Sequence, residues 1–192
     1  SQQPVNSPAG IGGLSQVKVA IKDAQDNVVT TGAASTSNVT LSISSNVNGA
    51  VLSGTITVAA VAGVATFTGL GIDKTQTGYK LLASSGALVP AYSNSFNVTS
   101  GTPQKIKLAG AADVVSGACS TAMTVQLQDL GNNPTNAIQN TPVQLAGLGS
   151  ASIYSSSTCG GTAISSTLTF TAGTNTKTIY LRDPKAEQLS IT

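Results

Sequence analysis

This chain of 192 residues has no histidine, which removes most of the familiar catalytic constellations. Without an imidazole there is no Ser–His–Asp relay, no Cys–His pair and no histidine metal site. Seven acids and two cysteines remain to do chemistry. The acids are Asp23, Asp26, Asp73, Asp113, Asp129, Asp183 and Glu187. A glycosidase needs two facing carboxylates, and no two of these acids sit in a pattern that sets them across a cleft. The expectation is a protein that is not an enzyme, with no catalytic residue and no cofactor.

The cysteines are Cys119 and Cys159. On a strand over 119–129 the odd positions are Cys119, Thr121, Met123, Val125 and Leu127, so Cys119 shares the apolar face. Cys159 lies in the loop 155–161, just after the short run 151–154. A bridge between them would close a loop of about 40 residues and stabilise by roughly 3–4 kcal/mol through the unfolded chain. It would also imply an oxidising compartment. The alternative is two unrelated buried thiols in a cytosolic protein. Low charge, abundant Ser and Thr, and repeated β patterning favour the bridge.

Asp23, Asp26 and Asn27, and again Asp129, Asn132 and Asn133, are hard oxygen donors that could hold calcium at a domain edge. Their spacing matches no calcium loop, and Asp and Asn cap turns unaided. Turn capping is therefore the expectation, with calcium at Asp23/Asp26 or Asp129 as the alternative. Two sequons, beginning at Asn38 and Asn97, read as ordinary strand residues. Candidate loop contacts to a glycan or protein are Ile138 in the loop 132–141 and Tyr154, Thr158, Gly160 and Gly161 around the loop 155–162. Leu88, Val89, Pro90 and Tyr92 lie in the connection 86–93 and could form an apolar contact patch, with packing between domains as the expectation.

The elements that would hold these residues follow from composition. Charged residues are 8% of the chain, far below the roughly 25% of ordinary soluble domains. Ser and Thr make up about a quarter of the sequence. Thr and Val favour strands, while Gly, Asn and Ser favour turns, and no stretch holds a helical period. Net charge is +2 and aromatics are 4%. Nucleic-acid binding needs a basic patch with stacking rings, so no nucleic-acid partner is expected. The longest apolar run, near 58–62, is too short to span a bilayer.

The chain also repeats itself. Residues 17–23 (VKVAIKD) run into the turn AQDN, and residues 123–129 (MTVQLQD) run into LGNN, with Asp23 and Asp129 106 positions apart. Such a period marks tandem modules. In the first, strands are expected at 16–23, 37–44, 56–58, 64–70, 79–84 and 93–99, after an irregular lead-in at 1–13. In the second they are expected at 104–110, 118–129, 142–148, 151–154, 167–171, 176–182 and 187–192. A Ser-Gly-Thr-Pro junction at 100–103 separates domains at 1–101 and 102–192.

This pattern resembles the bacterial immunoglobulin-like (invasin-like) domains strung along large surface or secreted proteins. The resemblance is carried by 17–23 with its turn, by GVATFTGL at 63–70, GYKL at 78–81 and SNSF at 93–96. In the second module it is carried by IYSSSTC at 153–159, FTAGT at 170–174 and TIYLRD at 178–183. It implies an all-β fold of two tandem immunoglobulin-like β-sandwich domains, at the cell surface or extracellular, in an adhesin-like setting and with no particular ligand. Matching the repeats leaves the first module without its first strand and the second without its last. A window cut from a longer array, a truncated subunit, and a subunit completed by strand exchange all fit that reading. The expected role is a structural spacer or fibre segment projecting a functional tip, with neighbouring domains of the same longer chain as partners. The alternatives are a loop-based binding module, and a filament subunit that self-assembles through open sheet edges.

Overall fold

The computed structural model describes residues 1–192 apart from Ser45, Val47 and 111–113. Asp113 and part of the turn expected at 46–49 thus lie outside the described residues. The described chain is all-β apart from one 3₁₀ turn at Ala33–Thr36, and it divides into two compact units, Ser1–Gly101 and Thr102–Thr192.

The first unit holds β1 (Ser7–Pro8), β2 (Val17–Ala20), β3 (Asn38–Ile43), β4 (Leu52–Ser53), β5 (Thr57–Ala59), β6 (Val64–Phe67), β7 (Gly71–Ile72), β8 (Gln76–Tyr79), β9 (Leu81–Ser84), β10 (Ala91–Tyr92) and β11 (Phe96–Thr99). They pair as β2-β6 and β4-β7, and as β10-β9-β3-β5 and β1-β11-β8. Alternation sets the faces. Val17 and Val19 lie opposite Phe67 and Ala65 across β2-β6, and Val39 and Leu41 are the buried positions of β3. These side chains meet Tyr79, Leu81, Phe96 and Val98 in one core. Tyr79 and Phe96 have ring centroids 6.1 Å apart. The phenol of Tyr79 lies 3.1 Å from Lys74 O and 3.2 Å from Asn48 Oδ1, which share its one hydrogen, and burial pushes its pKa up.

Two expected strands are divided. The run 64–70 breaks after Phe67, because Gly69 turns to φ +68° and the chain resumes at Gly71. The run 79–84 divides at Lys80, where the chain passes from β8, paired with β11, to β9, paired with β3.

The lead-in refines the sequence reading. Residues 1–13 are mostly irregular but carry the two-residue strand β1, and where the first unit was expected to lack its first strand it has an isolated bridge from Gln2 to β2. Gln2 exchanges backbone hydrogen bonds with Lys18 on β2, and Ser7–Pro8 then pairs parallel with Val98–Thr99 on β11. Pro8 is tolerated because β1 is an edge strand, where no ladder donor is required of it. The lead-in continues across β7: Gly10 N donates to Ile72 O, and a Cβ at Gly71 would sit 2.0 Å from Gly10 O.

The second unit holds β12 (Lys105–Ala109), β13 (Met123–Gln128), β14 (Thr141–Gln144), β15 (Ser152–Tyr154), β16 (Thr167–Phe170) and β17 (Thr176–Arg182). They form a sheet β12-β13-β17-β15 and a pair β14-β16. The pairings β2-β6 and β3-β5 of the first unit have counterparts in β13-β17 and β14-β16. Val125, Leu127, Phe170, Ile179 and Leu181 form the centre of a second core. Lys177 lies over the Phe170 ring at 5.7 Å.

Three expectations change here. The cysteine strand begins at Met123 rather than 118, and Cys119 makes only an isolated bridge with Arg182. Residues 187–192 form no strand; Thr192 instead exchanges backbone hydrogen bonds with Ala146. That contact matches the one between Ser44 and Lys80 ahead of β9. The second unit thus has no counterpart of β9, β10 or β11 among the described residues, more than the single last strand expected to be lacking.

Candidate functional site

The repeated aspartates build the same turn twice. In the first unit Asn27 N and Gln25 N donate to Asp23 Oδ1 at 2.9 and 3.0 Å, and Asp23 N donates to Asn27 O at 2.9 Å. In the second, Asn133 N donates to Asp129 Oδ1 at 2.9 Å and Asp129 N to Asn133 O at 3.0 Å. The fourth residue of each turn is left-handed, Asp26 at φ 70° and Asn132 at φ 64°, a region that Asp and Asn tolerate better than most residues. Asp23 and Asp129 thus act as turn caps. The backbone amide of Asn27 holds the Asp23 carboxyl below its usual pKa. Asp26 is drawn to Lys22 Nζ at 2.8 Å.

Cys119 and Cys159 form a disulfide with a Cα–Cα distance of 5.6 Å. Cys159 is buried, and its Sγ lies 3.6 Å from Leu181 O. The bridge braces one end of β17. There the segment 116–120 is zipped to 181–184: Ser120 N donates to Leu181 O at 2.8 Å, Leu181 N to Ser120 Oγ at 2.9 Å, Gly117 N to Asp183 O at 2.6 Å and Arg182 Nε to Gly117 O at 2.9 Å.

The candidate loop residues do not gather into one patch. Thr158, Gly160 and Gly161 are exposed beside the disulfide, and Tyr154 is half-buried on β15 opposite Tyr180. Ile138 is 72% exposed, but its neighbour Ala137 pairs with Thr174 and Gly173, ahead of the other end of β17. At ~3.3 Å per residue, the length of β17 separates the two groups by roughly 20 Å.

One cluster was missed from the sequence, where no two acids were expected to face each other. Asp183 and Glu187 meet on a single hydroxyl: Ser150 Oγ lies 2.6 Å from Asp183 Oδ1 and 2.7 Å from Glu187 Oε1. Ser150 N also donates to Glu187 Oε1 at 2.7 Å, and Lys185 N to Asp183 Oδ1 at 3.0 Å. The serine side chain and the Lys185 amide hold the Asp183 carboxyl below its usual pKa, and the Ser150 amide and hydroxyl do the same for Glu187. The turn at 147–150 makes this contact. Gly149 is at φ 53°, and a Cβ there would sit 2.5 Å from Glu187 Oε1. The two acids border a cleft of about 640 Å³. The sequence signal available was an Asp and a Glu four residues apart immediately after a strand.

Among the described residues no group of three or more His, Cys, Asp or Glu side chains is placed to hold a metal ion, and no helix is long and apolar enough to cross a membrane. No protein-family model, no curated protein and no solved structure matches the chain.

Proposed function

We propose that the chain is two immunoglobulin-like β-sandwich modules in series, acting as a structural spacer or fibre segment of a secreted bacterial surface protein. The observation that carries this reading is the duplicated Asp turn, built from the same hydrogen bonds in two separate compact units. Supporting it, strands from different sheets of the first unit contribute to one core, as two packed sheets do in a sandwich. The disulfide suits an extracellular setting. The mechanism is mechanical: small β domains in a row hold a tip at a distance, with neighbouring domains of a longer chain as partners and no catalysis.

Single-molecule stretching tests it. The oxidised chain should unfold in two events. The bridge keeps its 40-residue separation closed in the second unit, and reduction should release about 14 nm more contour, at ~3.5 Å per residue. One event only, or no mechanical resistance, removes the spacer reading.

Assembly by strand exchange is a second reading, with one observation in its favour. The β14-β16 sheet has two strands where its counterpart has four, and beyond β14 the flanking contact is the one between Ala146 and Thr192. An open edge can accept an added strand. Concentration-dependent oligomers in sedimentation would support it, and a monomer at all concentrations would remove it.

A further inference from the structure

The cleft beside Asp183 holds one carboxylate oxygen without a hydrogen-bond partner among the described residues. Asp183 is 5% exposed, and that oxygen, Oδ2, is buried. A serine hydroxyl carries one hydrogen, so Ser150 Oγ cannot donate fully to both carboxylates that touch it. A buried ionised carboxylate oxygen without a partner is costly. Lys185 borders the same cleft and its charge favours both ionised acids, but among the described residues it closes no salt bridge with either. The rest of the lining is mixed: Met123, Leu181, Leu189 and Ile191 are apolar, and Ser116 and Gln188 are polar.

We propose that this cleft binds a primary ammonium or guanidinium group carried on an apolar stem, with Asp183 Oδ2 as the buried acceptor and Glu187 as the second carboxylate. The size fits such a group. Sites for organic ligands run to roughly 300–1,000 Å³, and this one is about 640 Å³. A calcium ion would need about 6–8 oxygen ligands around it, whereas the lining offers two carboxylates beside several apolar side chains. The stem would lie against the methionine, leucine and isoleucine side chains while the head reaches the acids. The same chemistry describes a free alkylamine and a lysine or arginine side chain of a peptide. The site is independent of the spacer reading, since it needs only the second unit's fold.

The test is a titration of the oxidised 192-residue chain followed by NMR at the Met123 methyl and the backbone amides of 181–187. n-Butylammonium and n-butylguanidinium should give saturable shifts; n-butanol and calcium chloride should not. Asp183→Asn should weaken cation binding at least tenfold, Glu187→Gln less, and Lys185→Met should leave it equal or tighter. Unchanged β13 amide shifts certify the fold of each variant, and should Asp183→Asn fail that check, the Glu187→Gln and Lys185→Met pair decides. A capped Leu-Lys-Leu peptide binding tighter than n-butylammonium identifies a peptide side chain as the occupant, and weaker or equal binding a free amine. Absence of saturable shifts with both cations overturns the proposal, as does calcium binding that needs Asp183, or cation binding indifferent to the acid variants.

Discussion

The turn at 23–27 and the turn at 129–133 share their hydrogen bonds and differ in their surroundings. Asp23 and Asn27 stand in water, whereas Asp129 and Asn133 are 3% and 5% exposed. On the second unit's side, β12 runs beside β13 over five residue pairs, and Lys105 Nζ reaches over the turn to Leu130 O and Asn132 Oδ1 at 2.7 and 3.0 Å. In the first unit the matching edge of β2 is met at Gln2–Lys18, away from the turn. The geometry of such a turn is therefore local, fixed by an Asp and an Asn four residues on. Its weight in stability depends on what packs over it.

That contrast can be broken most forcefully in the cores. Phe67 and Phe170 are both fully buried, one in each unit. Truncating either to Ala should cost about 3–5 kcal/mol, and Phe67→Ala should lower only the first unit's transition in calorimetry, Phe170→Ala only the second's. A shared shift would erase the distinction between units. Asp129→Ala comes next, at about 1–3 kcal/mol, because it leaves buried donors without an acceptor. Asp23→Ala should move the first unit's transition by less, since water replaces the lost acceptor. Equal effects in urea melts would mean that burial does not set the difference.

The smallest effect is in pH. The folded Asp23 carboxyl is held below its ordinary 3.8 by the Asn27 amide. A lowered folded pKa gives stability that is complete above the unfolded value and is lost as pH falls through the folded one. NMR titration should find Asp23 ionising below 3.8, and a value at or above it would contradict the cap.

Local features were readable from the residues. The Asp turns were, because their bonds close within five positions, and so were the inward faces of β3, β6 and β13, because alternation encodes them. What escaped needed partners far along the chain. The lead-in at 1–13 read as irregular throughout, yet an edge position beside Val98 and Thr99 accommodates Pro8 in a two-residue strand. Asp183 and Glu187 came together only because Ser150, 33 and 37 positions away, folds back onto them through a turn that needs Gly149. Ile138 and the 155–162 loop were separated by the length of β17, which no local pattern reveals.

The account's centre is that two units fold separately and the bridge serves only one. Native-state hydrogen exchange at β2 and β13, before and after reduction of Cys119–Cys159, tests this most directly. Losing roughly 3–4 kcal/mol from the second unit should drop β13 protection by about 10²–10³-fold and leave β2 unchanged. An equal fall at both strands would show one cooperative core and contradict it.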